Sequence, residues 1–355
     1  MKKILVINPG STSTKFAVFH DDKPVFQKTL RHQGEELAPY PTVASQYEFR
    51  KETILKALRE EGIAEDFDII VGRGGLLKPI ASGVYEVNEA MRETLLAAKY
   101  GEHASNLGGL VAADIAKTVG CKAVIADPVV VDELQDVARV SGHPLLPNIS
   151  IFHALNQKAI ARRYAKECGK KYEEMNLIVA HLGGGISVGA HNYGKVIDVN
   201  CALGGNGPFS PERVGTVSAT GLMELCFSGK YTKQEVKKML VGNGGLMAHC
   251  GSNDAYVVEQ RAESGKDPHA ALIYDAMAYT VAKEAGAMAT VLKGKVDAIL
   301  LTGGIAYGKG FCKYIEDMVG FIAPVKVYPG EDELGALAEN GLRVLNGEKC
   351  LTYEE

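Results

Sequence analysis

The sequence predicts an α/β protein built from two duplicated domains with mixed sheets. Three observations carry that prediction: a three-strand meander opens the chain, a similar meander recurs about half the chain later, and helical and strand-like runs alternate around them. At 355 residues the chain is too long for one ordinary domain and suits two, at roughly 100–200 residues each.

The first meander starts with Ile4-Leu5-Val6-Ile7, a short apolar run that reads as a buried strand. A turn from Asn8 to Lys15 leads to Phe16–Phe19, and Asp21-Asp22-Lys23-Pro24 turns into a third strand over Val25–Leu30. The second copy reads Leu177–His181, a turn at Gly183-Gly184-Gly185, Ile186–Ala190, a turn at Asn192-Tyr193-Gly194, and Lys195–Val199. Asn8 matches His181 and Gly10 matches Gly183 at one offset of 173 residues. Helical periodicity marks Lys51–Glu61, Glu89–Lys99, Asp267–Lys293 and Glu333–Leu345, and Thr232 with Glu235 forms a capping box. Further strands are expected at Ile69–Val71, Ala123–Ile125 and Ala298–Leu301, with a hinge near Gly142–Pro147 and a cleft between the two domains.

Composition excludes several function classes. A net charge of −4 argues against a protein that binds nucleic acid or an anionic membrane by counterion release. No apolar run approaches the ~18 residues of a membrane span. The apolar stretch after Met1-Lys2-Lys3 stops at Asn8, too soon for a signal peptide, and seven scattered cysteines fit a reduced, cytoplasmic chain without a disulfide framework. Glycine is the anomaly: 40 of 355 residues, above the usual ~7% and without a collagen-like period.

Glycine lets backbone approach a phosphate closely, and successive free N–H groups make an anion nest. The turn containing Ser11, Thr12, Ser13 and Lys15 offers hydroxyls and a cation, and Gly183, Gly184 and Gly185 offer bare backbone, so both turns are candidate phosphate cradles. A P-loop match at Gly303–Lys309 fails because Gly310 stands where a magnesium-binding Ser or Thr is required. No dinucleotide fingerprint follows any strand.

Val6 to Lys15 resembles the N-terminal signature of the acetate kinase family, within the actin, sugar kinase and Hsp70 superfamily of actin-like ATPase (ribonuclease H-like) domains. The likeness continues through Gly72-Arg73-Gly74-Gly75, His103 with Asn106, Asp127, Phe152-His153-Ala154, His181 to Gly185, Glu212 to Gly215, Thr302-Gly303-Gly304-Ile305 and Glu331 to Leu334. The resemblance implies a first domain over residues 1–148 closed by about 335–355, and a second over 149–334. Glycines at 74 and 75 replace two valines of the family, and with the shorter chain and triple glycine they are similar to its butyrate-phosphorylating branch. Their missing side chains would leave room for a longer acyl chain.

The activity implied is reversible, direct in-line transfer from ATP to a short-chain fatty acid, giving ADP and an acyl phosphate. A carboxylate is already ionised near pH 7, so cations and N–H donors should outnumber catalytic acids. By resemblance Arg73 and Arg213 hold carboxylate and phosphoryl group, His153 donates in the transition state, and Asp127 orients an arginine or histidine. Gly75 and His103 join Arg73 around the acid. Asn8, Ser11, Thr12, Ser13, Lys15, His181, Gly183, Gly184, Gly185, Gly303 and Gly304 bind nucleotide, and Asn8 with Asp332 or Glu331 places Mg²⁺. The resemblance also implies a homodimer or higher homo-oligomer. Acetate, propionate or a branched acid as substrate stays open, as does, more remotely, a non-catalytic ATP-switched protein.

Overall fold

The computed structural model describes the whole chain, Met1–Glu355. Twelve strands follow in order: β1 (Lys3–Pro9), β2 (Ser13–His20), β3 (Lys23–Arg31), β4 (Ile69–Arg73), β5 (Val84–Glu86), β6 (Lys122–Ala126), β7 (Asn176–Leu182), β8 (Ile186–Asn192), β9 (Lys195–Val199), β10 (Ala298–Gly303), β11 (Val325–Pro329) and β12 (Leu351–Thr352). The chain divides into two compact units, Met1–Val131 with Asp332–Glu355, and Asp132–Glu331, each with its own mixed sheet.

The first sheet has the order β12-β5-β6-β4-β1-β2-β3 and the second β11-β10-β7-β8-β9. In both, an antiparallel meander is extended by two parallel strands on the side of its first strand. The second hairpin of each meander breaks register at equivalent places, Val18/Phe19 and Ala190/His191. That offset is one residue less than the one joining Asn8 to His181. The first turn closes on the pair Pro9–Thr14, while its counterpart closes more tightly on Leu182–Ile186. A shared bulge is a conformational detail that hairpins alike by chance have no reason to share.

The strands β1 and β7 are apolar through their middles, Ile4–Ile7 and Leu177–Ala180, because they are covered on both faces. In the first unit Leu5, Ile7 and Ile70 pack with Ile54, Leu58, Val111 and Ile115 of the helices Tyr47–Glu60 and Asn106–Val119. The opposite face bears Ile4, Ile69 and Val71, and the closing helix Glu333–Leu345 lies so near that a Cβ on Gly341 would meet all three. Period-two alternation then places Asn8 and Arg73, at the ends of β1 and β4, on the closing-helix face. In the second unit Ile178, Ala180 and Leu182 pack on the helix Pro268–Val291, and Leu177 and Val179 on the helix Ala154–Glu167. The same alternation puts His181 on the face of Ala154–Glu167.

The first boundary falls at Val131, ahead of the expected 148, because Asp132–Asn148 is tied into the second unit. Gln135 N donates to Ile197 O, and Glu133 accepts from Val196 N and pairs with buried Lys158 at 2.8 Å. The later boundary falls at Asp332 rather than 335, where the side chain of Asp332 caps the closing helix through Gly335 N at 2.8 Å. The helix Asn106–Val119 has no counterpart in the sequence expectations, and it contains Gly108 and Gly109. Here they are contact residues: a Cβ on Gly72 would lie 2.2 Å from Gly108 O, and one on Gly108 would lie 2.3 Å from Arg73 O. No helix is long and apolar enough to cross a membrane.

Alanine normally exceeds glycine in a helix by up to about 1 kcal/mol, yet Gly108→Ala should lower stability by about 1–3 kcal/mol through overpacking against β4. Gly286→Ala, inside the helix Pro268–Val291 with nothing within 4 Å of its new Cβ, should instead stabilise. Urea unfolding of the two variants checks the opposed signs.

Candidate active site

In the first unit, the strand ends meet the start of the closing helix. Asn8, 4% exposed, donates from Nδ2 to Glu333 Oε2 at 2.5 Å. Arg73 Nη1 lies 2.9 Å from Glu333 Oε1 and donates to Asn8 Oδ1 at 3.2 Å. Thus Glu333 occupies the place expected of Asp332 or Glu331. Asp332 is engaged in the helix cap, and Glu331, in the second unit, lies 3.8 Å from His181 Nε2.

The Gly10–Thr14 turn is held from beneath by a residue the sequence did not single out. Arg50 is 1% exposed; its Nη1 donates to Gly10 O and Ser13 O, both at 2.8 Å, and its Nη2 donates to Ser11 O at 2.9 Å. Burial pushes its pKa down, but a guanidinium among carbonyls stays charged and fixes where those carbonyls point. The only sequence signal was an arginine within the apolar periodicity of its helix. Thr12, Ser13 and Lys15 line a shallow cavity of about 380 Å³ with Thr29, Arg31 and His32.

Other first-unit expectations acquire specific contacts. Asp127, buried with φ of 38°, accepts at Oδ1 from Ser82 Oγ (2.6 Å) and Gly83 N (3.0 Å). His103 Nδ1 accepts from Ser105 N at 3.2 Å ahead of the helix Asn106–Val119. Asn106 holds the turn after Arg73 by accepting from Leu76 N at 2.8 Å. The space imagined beside Gly74 and Gly75 is filled: added Cβ atoms would lie 2.6 Å from Pro128 Cβ and 2.6 Å from Asn106 Cα. Those glycines serve close packing in that direction rather than a void.

In the second unit His181, 2% exposed, sets Nδ1 2.9 Å from Asn156 Oδ1. Its ring stacks on His153 with centroids 3.8 Å apart and planes 13° off parallel. Two imidazolium ions stacked so closely would repel strongly, which opposes double protonation. Nearby, the triple glycine makes room for Arg213, since a Cβ on Gly185 would stand 1.9 Å from Arg213 Nη1. That Nη1 donates to Ala202 O at 2.6 Å, while Nε is buried without a hydrogen-bond partner. Burial lowers the Arg213 pKa, with Glu212 opposing.

The Gly242–Gly245 cluster is the floor under this loop. Gly242 N and Gly244 N both donate to Glu212 O, and a Cβ on Gly245 (φ 55°) would stand 1.6 Å from Ser210 O. Gly183, Gly184, Gly304, Ile305 and Glu331 line a cavity of about 630 Å³ with Asn253, Tyr256 and Tyr307. Gly303, with φ of 96°, is absent from that lining and instead lets β10 pass Leu182, whose oxygen a Cβ would meet at 2.3 Å. Asn253, Tyr256 and Tyr307 were not identified from sequence, being polar or aromatic residues without a spacing that marks a site.

Two mixed sheets built to one plan, each with a glycine-bearing turn, and a large second-unit cavity give the chain the fold of the actin-like ATPase class. The model of the Acetokinase family matches residues 151–320. The chain is 56% identical over 348 residues to Butyrate kinase 2 of Clostridium acetobutylicum, covering 98% of each. It is also 56% identical over 347 residues to a probable butyrate kinase of Bacteroides thetaiotaomicron, again covering 98% of each. Porphyromonas gingivalis acetate kinase shares the fold with a TM-score of 0.76 at 20% identity, over 97% of this chain and 100% of that one. The chain belongs to the acetokinase family.

Because the atoms in the way are the far end of a long side chain and not backbone, Gly185→Ala should fold with near-normal stability but displace Arg213. A kcat loss at unchanged Tm is expected, and unchanged kcat would show that Arg213 works from another position. Gly75→Val should destabilise by about 1–3 kcal/mol through collision with the Asn106 backbone, measured by urea unfolding; a shifted acid preference at normal stability would contradict that packing.

Proposed function

We propose that this chain catalyses reversible phosphoryl transfer between ATP and butyrate, giving ADP and butyryl phosphate. The carrying observation is full-length identity of 56% with Butyrate kinase 2 of Clostridium acetobutylicum. The chemistry of the clusters agrees with it. A butyrate carboxylate oxygen forms the new bond to the γ-phosphorus as the bond to ADP oxygen breaks, with no proton to remove from the acid. The enzyme's task is then to hold anions and neutralise charge on the transferring group.

Arg73 takes the acid's carboxylate, supported by its position beside Glu333, which leaves its charge partly compensated until substrate arrives. Arg213 and His153 supply positive charge and an N–H to the phosphoryl oxygens, and the cavity beside Gly304 takes the nucleoside. Ser11, Thr12, Ser13, Lys15 and the turn at 183–185 contact phosphates, with Arg50 keeping the first turn in shape.

Mg²⁺ belongs to the same proposal. No group of three or more His, Cys, Asp or Glu could hold a metal, but Asn8 and Glu333 are in contact and each carries a hard oxygen, a donor set that would suit an ion that keeps several waters and leans on substrate phosphates. When bound, it would neutralise phosphate charge. We place the enzyme in the cytoplasm as a homodimer. Exposed Val137 (74%), Val140 (74%), Leu145 (81%) and Leu146 (70%) form the apolar stretch that a second copy would cover.

Hydroxylamine trapping of acyl phosphate across acetate, propionate, butyrate, isobutyrate, isovalerate and hexanoate should give the highest kcat/KM with butyrate; a maximum at acetate would overturn the substrate assignment. Arg213→Ala should lower kcat about 10²–10³-fold, as expected for a lost transition-state donor. Near-normal turnover would remove Arg213 from the transfer step.

A further inference from the structure

The helix Ala154–Glu167 crosses the face of β7 and β8 that bears His181, Ser187, Gly189 and His191, which alternation brings to one side. Gln157, with no exposed surface, reaches between Ser187 and His191. Glycine at 189 makes that possible, because a Cβ there would stand 2.7 Å from Gln157 Oε1. Gln157 Nε2 donates to the Ser187 carbonyl at 3.0 Å and to Ser187 Oγ at 2.8 Å. Gln157 Oε1 lies 2.9 Å from His191 Nε2, and His191 Nδ1 lies 2.7 Å from the Tyr172 hydroxyl. At the other end Ser187 Oγ lies 2.8 Å from His153 Nδ1.

The direction of every proton in this line follows from one fixed point. A backbone carbonyl only accepts, so the Ser187 carbonyl holds the Gln157 NH₂ towards Ser187 and leaves Oε1 facing His191. Oε1 also only accepts, so His191 carries its proton on Nε2. Burial, then Lys158 and Arg162, holds the His191 imidazole well below its ordinary pKa, so the ring is neutral and its Nδ1 accepts from Tyr172 O–H. Ser187 Oγ already accepts from Gln157 Nε2 at 2.8 Å and from the His153 backbone N–H at 3.5 Å, which uses both its lone pairs, so its own O–H points to His153 Nδ1. A neutral imidazole that accepts at Nδ1 has its proton on Nε2.

We propose that Gln157 and Ser187, anchored by His191 and Tyr172, are positioning residues that hold His153 as the neutral Nε2–H tautomer, so that it meets the transferring phosphoryl group as a hydrogen-bond donor. This rests on the assignment of His153 to phosphoryl transfer. No net proton moves along the line; its effect is to fix which nitrogen donates and where the ring lies.

Gln157→Glu tests it in the full-length protein, because it keeps the size and turns the NH₂ donor into an acceptor. Ser187 O–H then turns to the carboxylate, and His153 must place its proton on Nδ1. Long-range ¹H–¹⁵N correlation on ¹⁵N-histidine-labelled protein, with His153 assigned from the His153→Gln spectrum, should show a pyridine-like Nδ1 in the native protein and a pyridine-like Nε2 in the variant. The kcat should fall about 10–100-fold, with KM for both substrates held within about twofold. An unchanged His153 tautomer in folded Gln157→Glu overturns the proposal.

Should that variant fail to fold by circular dichroism, Ser187→Ala removes the donor to Nδ1 and leaves Gln157 its carbonyl partner. A mixture of His153 tautomers is then expected, and a pure Nε2–H form overturns the proposal. A tautomer that flips while kcat stays unchanged upholds the hydrogen-bonded line and rejects the role of His153 in transfer, so the two failures are distinguishable.

Discussion

The site residues of both units depend on one constraint: backbone and side chains run closer to one another than any Cβ allows. Gly72 and Gly108 let a helix lie directly on β4, so that Arg73 emerges at a strand end whose depth is fixed by carbonyl contact. Gly185 leaves space that the Arg213 guanidinium occupies, and Gly244 with Gly245 lets the segment carrying Arg213 rest on the backbone beneath. Contacts of this kind are stiff, because interiors are packed densely enough that a single methyl must displace something. The glycine excess is therefore a packing signature first. Gly183, Gly184, Gly304 and Gly308 also line the large cavity, where absent side chains leave backbone open to a ligand.

Alternation along the strands supplies the chemistry. In each unit the first strand of the meander stays apolar until its last turn of pleat, then presents a polar residue to a covering helix: Asn8 to the closing helix, His181 to Ala154–Glu167. The neighbouring parallel strand ends beside it with Arg73 in one unit and Thr302 in the other. Duplication thus conserved the place where polar residues appear and left their identity free to diverge, giving a cation and carboxylate cluster in one copy and a stacked histidine pair in the other.

Local pattern made much of this legible. The meanders, their repetition and the closing helix follow from periodicity, and the resemblance points to Asn8, Arg73, His153, His181 and Arg213, which lie at strand ends, helix starts or glycine turns of their units. The residues that escaped are those whose meaning lies in a partner far along the chain. Arg50 looks like a surface arginine until the turn 36–40 residues earlier folds over it. Glu333 cannot be told from Glu331 and Asp332 by spacing, because only the helix start decides which acid turns inward. Gln157 and Gly189 acquire a purpose only together, and Gly108 acquires one only when β4 lies against it. Gly75 misled in the opposite direction, since a missing side chain was taken for empty space that Asn106 and Leu95 fill.

Electrostatics explains why neutral donors belong in such a site. Arg73 is already balanced by Glu333, so under the proposed function an incoming carboxylate would share that guanidinium. Arg213 sits partly desolvated, its charge opposed only in part by Glu212. Adding a second full charge on His153, stacked 3.8 Å from His181, would raise the cost of the empty site, since cations desolvated together repel. A histidine held neutral by a line of buried hydrogen bonds avoids that cost and still offers an N–H where negative charge accumulates. Its contribution grows as the phosphoryl oxygens gain charge in the transition state and is small before then, which is the condition for a binding interaction to accelerate a reaction instead of merely tightening the ground state.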